Sequence, residues 1–211
     1  MKEIPLPGAK RIFDIFTSAI VIIALSPLLI LLFILFTLEQ IFIPSSRGSF
    51  FYNEIRISQG KHFRLWKIRT FKEEVLRKAK LTGEVIQTKQ LEHDKHNLTY
   101  TGMLLRQIYM DEAPQLWSVL IGDMSFVGPR PTNVTNYESD LQKGFEAKKI
   151  LKAGLTGKFQ THKHIKHNLN QETIDMEYAE MCKEGPAWKI VFYDLSILLQ
   201  TLITVFRAEG L

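Results

Sequence analysis

The stretch that decides the architecture is Ile15–Leu38, IFTSAIVIIALSPLLILLFILFTL, in which no residue is charged and most are Ile, Leu, Val, Phe or Ala. A helix of that length crosses about 30 Å of hydrocarbon. It is apolar on every face, whereas a surface helix of a soluble domain carries a single apolar stripe. It exceeds the apolar core of a secretory signal, and no small-residue cleavage site closes it. Membrane insertion follows. Near the middle lies Ser26-Pro27. Proline has no amide to donate, and its ring crowds the carbonyl four residues back, at Ile23, so a helix must bend there. The Ser26 hydroxyl can satisfy part of the backbone that proline leaves open. Lys10 and Arg11 precede the run, and Arg47, Arg56, Lys61 and Arg64 follow it. Cationic flanks stay on the cytoplasmic side. With cations at both ends, two topologies stay open: a helix that enters and leaves by one face, or a mildly kinked span.

Outward from this run the chain is of ordinary polarity. Of 211 residues 45% are hydrophobic and 23% charged, and 27 Lys+Arg against 22 Asp+Glu leave a net charge of +5. Disorder is excluded by the apolar content, and a disulfide scaffold by the single cysteine, Cys182, which fits a reducing compartment. The chain reads as a membrane anchor over residues 1–44 and a soluble domain over 45–211. Phe50 to Ile57 and His62 to Ile68 predict a β-hairpin around Gln59-Gly60-Lys61. Phe71 to Asn97 is charge-rich and helical at its start. Gly102 to Gly122 is an amphipathic helical stretch interrupted at Met110–Pro114, and a basic tract runs from Lys148 to His167. Trp188 to Phe206 is apolar but holds Asp194 and Gln200, which suits a core helix or one lying in the membrane interface better than a second span. The predicted class is α+β, mainly helical.

Two motifs carry chemistry. Asp111-Glu112-Ala113-Pro114 reads as a helix start: Asp is a favoured cap, and proline is tolerated in the first turn. An ordinary helix start would account for it. Two adjacent carboxylates at a positive helix end can also hold Mg²⁺, and an ionised aspartate can attack phosphorus. In Gly128-Pro129-Arg130-Pro131 the prolines stiffen the mount of Arg130, which favours phosphate recognition; a structural turn is the alternative. Lys67, in Lys67-Ile68-Arg69-Thr70, lies at the end of the second hairpin arm and adds positive charge. His162, Lys163, His164 and His167 do not match a zinc pattern and read as a solvated basic face or an anionic-lipid contact. Asn97 and Asn133 head chance glycosylation sequons. Nucleic acid is not an expected partner, since the basic tract lacks a recognition motif.

Taken together these pieces resemble the bacterial sugar transferase family, the monotopic polyprenyl-phosphate phosphoglycosyl transferases. The match runs in order through Lys10-Arg11-Ile12-Phe13-Asp14, Ser26-Pro27, Gly48-Ser49-Phe50-Phe51 and Phe63 to Phe71. It is densest from Leu105-Arg106 to Pro131, and Gly154-Leu155-Thr156-Gly157, Asp175, Tyr178 and Asp194 complete it. The resemblance implies transfer of a sugar 1-phosphate from a nucleotide sugar, UDP-linked by presumption, to membrane polyprenyl (undecaprenyl) phosphate, with release of UMP. Asp111 would be the nucleophile that holds the phosphosugar, and Glu112 its partner in Mg²⁺ or proton handling. Lys67, Arg69, Arg106 and Arg130 would contact phosphates, and Asp175 would serve the donor part of the site or its structure.

The same resemblance implies a re-entrant helix over about residues 12–38, broken at Ser26-Pro27. Interfacial helices would surround an active site on the cytoplasmic face of the bacterial inner membrane. Partners would be the donor, the lipid acceptor and membrane lipids; homo-oligomerisation stays open. The glycan could be an exopolysaccharide, an O-antigen or a capsule. Departures at Lys158-Phe159-Gln160, Thr161 to His164, and Ile68 and Phe71 bear on the donor sugar and leave the reaction untouched. The rival is a non-catalytic membrane adaptor of a glycan-assembly complex. Retention of Asp111, Glu112, Arg130 and Lys67 speaks against it. An aspartyl-phosphate phosphatase is remote, because its signature is absent.

Overall fold

A computed structural model of the chain describes residues 2–81, 91, 94–161 and 170–206; His162, Lys163, His164 and His167 lie outside them. The architecture is α+β and mainly helical. Helix α1 runs from Gly8 to Phe42 with Pro27 inside it. The Ser26 hydroxyl donates to the Ile23 carbonyl at 2.8 Å, the acceptor that a proline amide cannot reach, and the helix is continuous through the proline. Large apolar side chains stay exposed along α1, among them Phe16, Ile20, Ile23, Ile30 and Phe33. With mean hydropathy 3.1 over its most apolar window, this is a helix whose solvent is lipid, and the chain is membrane-associated.

Strands β1 (Phe51–Ser58) and β2 (Lys61–Ile68) form the predicted hairpin. The loop is two residues, Gln59 and Gly60, at φ 53° and 71°. Positive φ at both positions is what a tight hairpin needs to match strand twist, so Lys61 belongs to the strand and not to the turn. A second pair, β3 (Ser125–Val127) and β4 (Gly154–Thr156), is parallel, with Ser125 opposite Gly154 and Val127 opposite Thr156. Sequence reading missed it, because three-residue strands carry no legible period.

The chain divides into two compact units that do not follow the anchor–domain division at residue 44. The first comprises residues 1–20, 55–64 and 116–211. It holds β3, β4 and helices α4 (Gln115–Ile121, nearly all of it), α5 (Val134–Gln142), α6 (Ala147–Ile150), α7 (Lys158–Thr161), α8 (Gln171–Glu184) and α9 (Ala187–Phe206). Its centre is ionic. Lys10 and Asp194, neither with measurable exposure, pair at 2.5 Å, and the Tyr178 hydroxyl donates to the same aspartate at 2.7 Å. Asp14 accepts from the Ser125 hydroxyl at 2.7 Å, and Arg11 donates to the carbonyls of Val119 and Leu120 at 2.6 Å each. Lys10 and Arg11 are therefore structural cations that tie the start of α1 to β3, α4 and α9, which corrects their reading as simple flanks of the membrane run. Cys182 is buried, and desolvation lifts its thiol to about 11, so it is inert. Helix α9 buries Ile190, Asp194 and Ile197 and exposes Trp188, Phe192, Leu195, Leu199 and Leu202 at helical spacing. It is a core helix on one face and an apolar surface on the other.

The second unit comprises residues 21–54 and 65–115. It contains α2 (Glu73–Leu81) and α3 (Tyr100–Gln107). Glu39, near the end of α1, caps α3: its carboxylate accepts from the amides of Tyr100 and Thr101 at 2.8 and 2.7 Å. It also accepts from the hydroxyls of Thr101 and Ser46. A negative charge on the first amides of a helix is favourable on both hydrogen-bond and dipole grounds. Gly102 lets α3 lie directly on the chain leaving β2, since a Cβ there would stand 2.1 Å from the Thr70 carbonyl oxygen. Leu32 of α1, Ile68 and Leu105 form the adjoining core, with Leu28, Leu29, Phe50 and Met110 packed against it.

Candidate active site

Helix α3 ends at Gln107, and two residues later Tyr109 adopts φ 56°, ψ 25°, the left-handed conformation. That geometry costs a non-glycine residue roughly 1–2 kcal/mol, and such strain concentrates at functional sites. It reverses the chain into a short 3₁₀ turn, Met110–Glu112, that carries both carboxylates. The sequence predicted a helix start at this dipeptide. The observed helix, α4, begins at Gln115, and Pro114 stands just before it, so Asp111 is not its cap. The dyad has its own turn, seated on the core by Met110. Met110 packs against the core of Leu32, Ile68 and Leu105, which holds the carboxylates at the edge of that core.

Lys67, near the end of β2, reaches Glu112 at 3.4 Å, both side chains partly exposed. Asp111, Lys67 and Arg69 line one cleft together with Tyr52, Glu54 and Phe71. Within this unit the structure thus brings together four of the residues singled out from sequence, Lys67, Arg69, Asp111 and Glu112. Arg106, on the last turn of α3, is partly exposed. Arg69 is different. Its side chain is 1% exposed, and its nitrogens donate to the carbonyls of Ser49, Phe71 and Ser46 at 2.7, 2.6 and 2.7 Å. A guanidinium that donates to three carbonyls is a strut of the fold, and it does so while bordering the cleft that holds Asp111 and Lys67.

Arg130 and Asp175 belong to the other unit. Arg130 is exposed on the loop that leaves β3. The loop is held rigidly: the Gly128 amide donates to Thr156 at 3.0 Å, and the Gly154 amide donates to the Pro129 carbonyl at 2.8 Å. A Cβ on Gly128 would meet the Lys152 carbonyl at 2.4 Å, so only glycine fits there. Asp175, on α8, is buried, and desolvation raises its carboxyl to about 7 despite a hydrogen bond from Gln171 and the charge of Lys148. Burial explains why sequence could not separate a donor role from a structural one.

The sequence model of bacterial sugar transferases matches residues 7–208. The chain belongs to the bacterial sugar transferase family. Among curated members, the exopolysaccharide production protein ExoY of Sinorhizobium fredii is 33% identical, the match covering 98% of this chain and 89% of that protein. The uncharacterised sugar transferase EpsL of Bacillus subtilis is 31% identical, over 96% of this chain and 89% of the relative. A UDP-glucose:undecaprenyl-phosphate glucose-1-phosphate transferase of Klebsiella pneumoniae is 29% identical over 94% of this chain, which spans only 39% of that longer relative. Family membership extends over both units, and so over the strained dyad turn and the Arg130 loop alike.

Proposed function

We propose that this family member transfers a sugar 1-phosphate from a UDP-sugar to undecaprenyl phosphate, as the names of its longer relatives describe for them. The observation that carries the reading is the Asp111–Glu112 turn, strained at Tyr109, facing Lys67, and seated on the core of Leu32, Ile68 and Leu105 through Met110. Asp111 attacks the phosphorus that bears the sugar; an Asp–O–P bond forms, the bond to the bridging oxygen breaks, and UMP leaves. The lipid phosphate then attacks the same phosphorus and releases Asp111, giving a sugar diphospholipid. Lys67 lowers the cost of bringing a polyanion to the carboxylates and orients Glu112. Arg130, on its rigid loop, is assigned to the donor's phosphates and Arg106 to the same anionic surface; Arg69 is left to the fold. Asp175 keeps a structural place.

The donor set fits Mg²⁺, which binds through one or two carboxylates and completes its shell with substrate phosphates and water. Asp111 and Glu112 would hold it, and it would neutralise charge on the diphosphate. Topology has support of its own. Arg11 ties the start of α1 to Val119 and Leu120, and Glu39 ties its end to Tyr100 and Thr101. No apolar run long enough to cross a bilayer separates those anchoring segments in the sequence, which supports placing both ends on one side of the membrane. A re-entrant α1 turning at Ser26-Pro27 on the cytoplasmic face fits that placement. The reaction is tested by incubating the purified protein with UDP-sugars, Mg²⁺ and undecaprenyl phosphate and following UMP. Release that Asp111→Asn abolishes is the expected result. No release from any donor, or release that survives the substitution, removes the enzyme reading and leaves the adaptor.

A further inference from the structure

The first unit carries a cavity to which the proposed transfer reaction gives no part. Its volume is about 570 Å³, inside the range of small-molecule sites, and it is lined by Lys2, Glu3, Gln59, Gly60, Tyr137 and Lys149. Hydrogen bonds between segments distant in sequence build its walls. The Gly60 amide at the hairpin turn donates to the Lys148 carbonyl of α6 at 3.1 Å, and the Ile4 amide donates to the Ile150 carbonyl at 3.0 Å. Gln59, itself buried, adds bonds from Nε2 to the carbonyls of Ile4 and Ile150 at 2.7 and 3.2 Å. The N-terminal segment, the turn and α6 are thus fixed to one another before any ligand arrives. Glycine keeps the turn open toward this space: its φ is 71°, and a Cβ would lie 3.4 Å from both the Lys149 carbonyl oxygen and the Tyr137 hydroxyl.

The lining is polar, and its charges do not cancel. Glu3 is already paired with Lys61 at 2.8 Å, whereas Lys149 meets Glu146 only at 3.8 Å. Lys2 is exposed and has no ion-pair partner among the described residues. The Tyr137 side chain is half-buried, yet its hydroxyl has no hydrogen-bond partner among the described residues. Burial pushes that phenol above its usual pKa, so it stays a donor. Two ammonium groups and a phenol around one space attract an anion, and compact ammonium charges suit a phosphate. The space is far larger than one phosphate. No Val, Leu, Ile, Met or Phe lines it, so the rest of the ligand is hydroxylated and not hydrocarbon. We propose that this cavity binds a phosphorylated polyol of sugar-phosphate size, with its phosphate between Lys2 and Lys149, a hydrogen bond from Tyr137, and its hydroxyls toward Glu3 and Gln59. That chemistry occurs free, in a sugar phosphate, and on a membrane, in the glycerol phosphate headgroup of phosphatidylglycerol. Every lining residue belongs to the first unit, and none takes part in the proposed transfer.

Calorimetric titration of the full-length protein in detergent micelles tests this with glucose 6-phosphate, inorganic phosphate and glucose as probes. Glucose 6-phosphate should bind at one saturable site, inorganic phosphate at least about tenfold more weakly, and glucose without measurable heat. Lys149→Gln and Tyr137→Phe should each raise the Kd for glucose 6-phosphate about tenfold at an unchanged melting temperature. Lys2 is exposed, so Lys2→Gln gives the same reading free of any folding defect. Lys183→Gln, which removes an equal charge from α8 outside the cavity, should leave the Kd as it is, and so should Asp111→Asn in the catalytic cleft. Nanodiscs of phosphatidylglycerol and of phosphatidylserine, alike in charge and different in the polyol, separate the two sources. A Kd at least about tenfold higher in phosphatidylglycerol assigns the site to the headgroup, and equal values assign it to the free compound. No binding by the wild type in micelles would overturn the proposal. So would a wild-type Kd in the Lys2→Gln and Tyr137→Phe proteins, or a Kd that Lys183→Gln raises as much as Lys149→Gln does.

Discussion

Replacing Arg69 with methionine separates the two tasks a buried arginine in this family could have. In the folded protein the guanidinium donates to three carbonyls, two of them from the buried residues Ser46 and Phe71, and its carbon lies 5.0 Å over the Phe36 ring. Glu73 adds a carboxylate 3.9 Å from Nε. Methionine preserves most of the apolar contact with Phe36 and removes every donor. Hydrogen bonds from a charged donor contribute roughly 1.5–3 kcal/mol each, and bonds that share one side chain are not additive, so the loss should be about 4–6 kcal/mol. In a chain of this size that lowers the melting temperature by roughly 10–20 °C. Thermal unfolding in detergent micelles, with Lys67→Met as the companion variant, measures it. Lys67 forms a partly exposed pair worth no more than about 1 kcal/mol, so its removal should spare stability and abolish UMP release. An Arg69→Met protein that unfolds like the wild type while its donor KM rises would refute the strut and return Arg69 to the phosphate.

Topology and pH give two further predictions. Cysteines introduced at Ala9, in the first turn of α1, and at Arg47, beyond its end, both exposed, should be modified by a membrane-impermeant reagent from the same, cytoplasmic side, with buried Cys182 silent; labelling from opposite sides would establish a span. Asp175 is raised to about 7 when folded, against about 3.8 unfolded, so the folded chain keeps a proton there that the unfolded chain has lost. Its contribution to stability is full below about pH 4, declines as pH rises toward 7 and levels off above that. Asp175→Asn should remove that slope, so that the variant gains on the wild type by up to about 4 kcal/mol between pH 4 and pH 8; parallel stability profiles in chemical denaturation would show that the carboxyl is not buried in its neutral form.

What could be read from the chain alone was set by local rules. An uncharged run from Ile15 to Leu38 has one physical solution, and Ser26-Pro27 marks the place where its backbone needs help, which the Ser26–Ile23 hydrogen bond supplies. Gln59-Gly60 between two alternating arms predicts a hairpin, and the structure moves its edge by a single residue. The Asp111-Glu112 pair was visible as chemistry, because adjacent carboxylates next to a proline are legible without any contact map. Its mount was not. The seat of Met110 on the core of Leu32, Ile68 and Leu105 brings in residues far away in the chain.

Tertiary structure decided everything that rests on pairing at long range. Lys10 and Asp194 are separated by most of the sequence, yet their mutual burial turns a membrane-flanking cation into the centre of a unit. Arg69 looks like one more positive charge beside Lys67 until three carbonyls claim its donors. The parallel pair of β3 and β4 has strands too short to show a pattern. Charge and periodicity report what a residue is able to do, while desolvation and the supply of partners, which depend on what the rest of the chain brings alongside, decide what it does.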